Sequence, residues 1–145
     1  MAKMEIVFPT GFLEKVNALE SRLQPVVEDT LEAGAEVVLR CMKERFAGQI
    51  GFGGEKYKKN RSTGELVRAL GVSPVKVNRN GDYDVKVGFA EPRRDGGVNA
   101  LLANVLEHGK PGQPPRPILK PTRSAARKPA VAAMREAFER GVEKL

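Results

Sequence analysis

The chain has 145 residues, with 25 Lys plus Arg against 18 Asp plus Glu, a net charge of +7. That length suits one domain, residues 1–145, with a core of its own. One cysteine and one histidine, His108, exclude an intramolecular disulfide, a Cys-rich zinc site and a His-pair metal site.

The first residues, Met4 to Phe8, favour a short strand before Pro9. No apolar stretch there is long enough for a signal peptide, and no run of about 18 apolar residues exists to span a membrane. The expectation is a soluble protein made inside the cell.

Residues 11–46 carry the clearest helical period. Phe12, Val16, Leu19, Leu23, Val27, Leu31, Gly34, Val38, Cys41 and Arg45 recur at steps of three and four, mostly apolar and on one stripe, with Phe46 beside Arg45 at its end. Glu14, Lys15, Glu20, Glu28, Glu32, Glu36 and Lys43 take the other face. Pro25 lacks an N–H and clashes with the carbonyl four residues back, which predicts a kink or restart.

Residues 47–62 hold four glycines and the run Lys56-Tyr57-Lys58-Lys59-Asn60-Arg61, with no apolar period. This reads as a long mobile loop. Ser62 and Glu65 then have the spacing of a capping box for a short helix through Leu66, Val67 and Leu70, stopped by Gly71.

From 75 to 89 the period changes to two. Val75 and Val77, then Tyr83, Val85, Val87 and Phe89, alternate with polar or small residues around Asn80-Gly81. Asn-Gly between such runs predicts a two-residue hairpin turn, because both positions tolerate positive φ. Residues 91–97 are a loop. Val98 to Glu107 reads as a helix burying Leu101, Leu102, Val105 and Leu106, ended by Gly109. Five prolines within 110–121 demand an extended segment. Residues 122–145 close with a helix striped by Val131, Met134, Phe138, Val142 and Leu145. Val38, Val85, Val105 and Phe138 are expected to be buried together. The fold class is α+β: a long N-terminal amphipathic helix, a small antiparallel sheet built on the 75–89 hairpin, and a C-terminal amphipathic helix.

The charge is unevenly spread. Residues 1–50 have a net charge of −2, residues 51–100 of +4 and residues 101–145 of +5. From His108 to Arg135 there are seven cations and no acid. A solvated face is the ordinary reading of such charges; an acidic protein surface or nucleic acid are the partners they would attract.

No catalytic constellation stands out. Residues 48–54, GQIGFGG, lack the Lys-Ser/Thr of a phosphate loop and do not lie between a strand and a helix. His108, beside Glu107 at a helix end, suits exposed carbonyls better than base catalysis. Cys41 falls on the apolar stripe as a small hydrophobe. No enzymatic activity, cofactor or metal is expected.

A Thr63-Gly64-Glu65-Leu66 turn into a short helix, then the hairpin, then two further segments carry a resemblance, which the long N-terminal helix and the basic middle loop also fit. Asn104-Val105-Leu106-Glu107-His108-Gly109 ends a helix. Gln113-Pro114-Pro115-Arg116-Pro117-Ile118-Leu119-Lys120-Pro121 follows, ahead of the terminal helix. This order resembles the tail-completion, or head–tail joining, proteins of lambdoid long-tailed bacteriophages, over about residues 10–145. The position after Pro117, often aromatic in that family, is Ile118 here. The resemblance implies a structural virion component of the neck, made in the host cytoplasm and packed into a homo-oligomeric ring. Its partners would be connector, head-closure, tail-terminator or tail-tube proteins, with no membrane and only secondary contact with DNA. The implied partner interface comprises Lys56, Lys58, Lys59, Arg61, Arg116, Ile118, Leu119, Lys120, Arg123 and Arg127. The alternative is a small basic nucleic-acid-binding protein. Against it stand 6% aromatic residues, no Trp, and only Tyr57 inside a basic run to stack on bases.

Overall fold

The computed structural model describes residues 10–50, 64–90, 93 and 96–145. The expected strand at Met4–Phe8 and the cations Lys56, Lys58, Lys59 and Arg61 lie outside the described residues, as does Ser62.

The first helix, α1, runs from Thr10 to Ile50, four residues further than expected at its C-terminal end. It does not restart at Pro25. Pro25 and Ser21, whose carbonyl loses its helical N–H partner, are both exposed. The orphaned acceptor is open to solvent, so the lost helical bond costs little here.

A single-turn helix, α2, spans Glu65–Arg68 and is entered through Gly64 at φ 73° with no side-chain cap. The Ser62–Glu65 capping box is therefore not the start of this helix, since Glu65 is its first residue rather than its third. Nor does the helix reach Leu70. Leu70–Val72 is instead a strand, β1, and its partner sits 17 residues further on. Next come β2 (Lys76–Val77), β3 (Tyr83–Asp84) and β4 (Val87–Phe89). β1 pairs antiparallel with β4, Leu70 opposite Phe89, and β2 pairs antiparallel with β3, Val77 opposite Tyr83. Ala90 N–H to Ala69 O at 2.7 Å and Ser73 N–H to Lys86 O at 2.8 Å extend the outer ladder. Between the ladders Pro74 and Val75 stand opposite Val85 alone. One extra residue on one strand is a bulge, a place where a proline costs no ladder bond.

The hairpin is present, but its turn differs from the expected one. Only Gly81 has positive φ, at 86°. Gly81 N–H donates to Asn78 O at 3.1 Å, and Asn78 N–H donates to Asp82 O at 2.8 Å. The Asn78 side-chain oxygen accepts the N–H groups of Asn80 and Asp82 at 2.9 and 3.0 Å. This is a three-residue loop, a type I turn closed by a left-handed glycine. Asn78 outcompeted the two-residue turn because its carboxamide offers two extra main-chain bonds.

Helix α3 (Asn99–His108) packs on the ribbon, and the last helix, α4 (Leu119–Val142), lies along α1. α1 and α4 run antiparallel: the Arg22 guanidinium donates to the Leu145 carbonyl at one end. Gly141 faces Val26, and Gly34 faces Met134 and Ala130. A Cβ on Gly141 would come within 2.5 Å of Val26, and one on Gly34 within 2.6 Å of Met134. Each glycine gives the side chain opposite it the space a Cβ would take.

The core is one cluster of Met42, Phe46, Leu66, Val67, Leu70 and Ile118, where the ribbon, α1 and the start of α4 meet. Phe46, 1% exposed, meets Phe89 edge-to-face at 5.5 Å between centroids. The expected buried set changes. Val38, Val85 and Val105 are half-buried, while Phe138 is 45% exposed and Leu101 61% exposed. α4 buries its small residues Thr122, Ala126 and Ala130 instead of its large ones. Gly34 and Gly141 make space for the Met134 and Val26 side chains opposite them, and Thr122, Ala126 and Ala130 fill the rest of the buried α4 face. Cys41 is half-buried.

Phe46→Ala is expected to cost about 3–5 kcal/mol, the range for removing a buried aromatic. Phe138→Ala in dilute protein is expected to cost less than about 1 kcal/mol. Urea denaturation of the two variants checks the contrast.

Candidate functional site

The segment joining α3 to α4 is a folded connection rather than a free extended strand. α3 ends on Gly109 at φ 77°. A Cβ there would sit 2.8 Å from the Gln113 carbonyl oxygen and 2.9 Å from the Pro115 nitrogen, so only glycine fits. Lys110-Pro111-Gly112-Gln113 is then a tight turn, with Gln113 N–H donating to Lys110 O at 2.8 Å and Gly112 at φ 80°. Proline second and a left-handed glycine third is the type II arrangement. Arg116 N–H donates to Leu106 O at 2.7 Å and ties the segment back onto α3. Of the residues expected to be extended, Leu119–Pro121 are already helix.

Glu107, in the last turn of α3, makes the decisive contact. Its carboxylate accepts the N–H groups of Ile118 at 2.6 Å, Leu119 at 2.8 Å and Lys120 at 3.0 Å. Helix α4 has no side-chain cap of its own; Ile118 stands at that position. Pro121 has no N–H to satisfy, and Thr122 N–H already reaches Ile118 O at 3.0 Å. One carboxylate from another helix thus closes the donor set of the α4 N-terminus, where the helix dipole favours negative charge. Burial pushes the Glu107 carboxyl up. The three N–H bonds and the neighbouring His108 charge outweigh it and hold the group below the ordinary carboxylate value.

Beside this capped start lies a groove of about 630 Å³. Its apolar lining comes from Val38 and Met42 of α1, Val87 of β4, and Leu119 and Ala126 of α4, with Thr122 beside them. Arg123 and Arg127 line it as well. They are four residues apart, so both guanidinium groups rise from one face of α4. Neither forms an ion pair with a described residue. A greasy floor with two unneutralised guanidinium groups suits an apolar side chain carried beside a carboxylate.

The ten residues proposed from sequence therefore divide. Arg123 and Arg127 come together at the groove, and Leu119 contributes to its floor. Lys120 and Arg116 are exposed. Ile118 is 2% exposed and belongs to the core, so it is unavailable to a partner. Its neighbour's place in a basic, Pro-rich stretch hid that it is the hydrophobic anchor seating α4. Glu107 was passed over as half of a commonplace Glu-His pair. Two features mark it: it is the last acid before the acid-free window, and the helix ahead starts without Ser, Thr, Asp or Asn. Among the described residues no group of His, Cys, Asp and Glu is arranged to hold a metal, and no helix is long and apolar enough to cross a membrane.

Glu107→Gln is expected to lower stability by about 1–2 kcal/mol, the range for losing a helix cap. The folded carboxyl lies below its unfolded value, so this stabilisation is complete above the unfolded value and lost as pH falls through the folded one. Thermal melts of both proteins should therefore converge in acid and separate near neutrality. Gly109→Ala is expected to cost about 1–3 kcal/mol through forced positive φ and main-chain overlap, read in the same melts.

No family model, curated protein or solved structure matches the chain.

Proposed function

We propose that this chain is a structural component of a long-tailed phage neck, completing the tail or joining it to the head within a ring. One observation carries the reading. Two of the segments that carry the resemblance, Val105-Leu106-Glu107-His108-Gly109 and Pro117-Ile118-Leu119-Lys120-Pro121, form a single unit through the Glu107 carboxylate. That bond gives the two motifs a physical reason to occur together at this spacing. The unit opens directly onto the groove with Arg123 and Arg127. In this reading the groove receives an acidic, partly apolar element of a neighbouring neck protein, and the arginines govern register and encounter rate.

Arg123→Glu with Arg127→Glu tests it. Both side chains are exposed, so the double variant should keep its fold by circular dichroism. Virions carrying it should accumulate as separate heads and tails in electron micrographs. The purified wild-type chain should bind non-specific DNA no tighter than roughly 10⁻⁶ M at physiological salt. Normal joining by the double variant would overturn the reading. Tight, sequence-selective DNA binding would move the assignment to a nucleic-acid-binding protein.

A further inference from the structure

We propose that the groove beside the start of α4 takes an extended strand from a partner, one in which two carboxylates flank an aliphatic residue, and that this strand pairs with the open edge of β4. This rests on the reading of the groove as the docking site for a neighbour, and adds the backbone form and side-chain order of what docks there.

The register of the ribbon decides which main-chain groups face outward. Ala90 N–H donates to Ala69 O at 2.7 Å and Ser73 N–H to Lys86 O at 2.8 Å. Opposed residues of an antiparallel ladder alternate between bonded and non-bonded pairs. Gly71 and Gly88, opposite each other between those two bonds, are therefore a bonded pair, and Val72 and Val87 a non-bonded one. In a non-bonded pair the N–H and C=O groups point away from the partner strand. Those of Val87 leave β4 on the side away from β1, and neither has a hydrogen bond to a described residue. The groove lies on that same side, because Val87 lines it together with residues of α1 and α4, and no residue of β1 does. An open strand edge forms one wall, α4 forms the other, and Val38 and Met42 of α1 lie between them.

That edge selects the form of the occupant. Anything that dries the groove takes water from the Val87 donor and acceptor and must replace it. A helix spends its main-chain groups on its own bonds and has none to offer. An extended chain carries the matching donor and acceptor and adds to the edge as a further strand.

The opposite wall selects the side chains. Successive residues of a strand point to opposite faces, so alternate ones turn toward Val38, Met42 and Leu119 and the others turn away. Arg123 and Arg127, both exposed, stand one helical turn apart, about 6 Å along α4. Alternate residues of a strand are about 6.7 Å apart, so two carboxylates with one residue between them meet the two guanidinium groups one to one. The residue between them faces the apolar floor. No acid among the described residues lines the groove to compete for the arginines. Lys86, the cation next to Val87, is on the other face of the ribbon, 3.9 Å from Asp84.

Amide exchange of the purified full chain, followed by NMR, tests the proposal. In the free chain the Val87 amide should exchange fast and the Gly88 amide slowly. The probe is a capped peptide, Ser-Val-Glu-Val-Glu-Val-Ser, added to 1 mM. It should slow exchange at Val87 at least tenfold and leave Gly88 unchanged. The same peptide with Lys for Glu should not bind the wild-type chain. It should bind the Arg123→Glu with Arg127→Glu variant, which in turn loses the acidic peptide. Val87→Pro removes only an outward N–H, so the ribbon should survive by its NMR spectrum while acidic-peptide affinity falls at least tenfold. A Val87 amide already slow in the free chain, or no response at Val87 to the acidic peptide, overturns the proposal. Shifts at Val38, Met42 and Leu119 without protection of Val87 overturn strand addition and leave the groove as a docking site. Equal binding of the acidic and basic peptides overturns the carboxylate assignment. Separate heads and tails from the double arginine variant, alongside any of these failures, would show that the docking reading stands while the strand does not.

Discussion

The rest of the structure depends on one carboxylate placed between two helices. Ile118, Leu119 and Lys120 present three N–H groups that no helix turn can satisfy, and Glu107 accepts all of them. Without that acceptor, the start of α4 would place unpaired donors beside the core. With it, Ile118 enters the core and the helix leaves in the direction that lays it along α1. The turn at Lys110–Gln113 and the left-handed Gly109 hold Glu107 and the helix start at the right separation. Loop, cap and core are a single arrangement, and the groove with Arg123 and Arg127 follows from where it points α4.

The α1–α4 contact obeys a second constraint, that of close approach. Gly34 and Gly141 leave no room for a Cβ, and Ala126 and Ala130 add little between the axes. Met134 and Val26 occupy the space the glycines leave, while Val131 and Phe138 fall outside the row that faces α1 and stay exposed. Hydrophobicity alone therefore misplaced the packing face of α4.

Local patterns were legible where one residue type dominates the local physics. The period of two around Asn80-Gly81 located the hairpin, and the alternation of apolar steps located α1. The Pro-rich segment announced a connection without regular structure over Pro114–Pro117. Elements decided by distant partners were not legible. β1 exists because Val87–Phe89 completes its ladder, a pairing that no local pattern around Gly71 shows. The three-residue turn was chosen by the side chain of Asn78, outside the dipeptide that marks the hairpin. Of the candidate site, Arg123 and Arg127 were readable from charge alone. The role of Glu107 was not, because its partners are main-chain groups eleven to thirteen residues away. Ile118 was legible as hydrophobic but not as buried, because its surroundings in sequence are basic.

The pairing of the first helix with the last also orders events in time. Arg22 meets Leu145 at a sequence separation of 123, whereas the ribbon and α3 close over short spans. Closing so long a loop has an entropic cost that only completed local structure offsets, so the helix pair forms late. During synthesis α1 leaves the ribosome long before α4 exists. Its row of Leu23, Val27 and Leu31 waits through that interval for the helix it will pack beside, next to the carboxylates of Glu20, Glu28, Glu32 and Glu36.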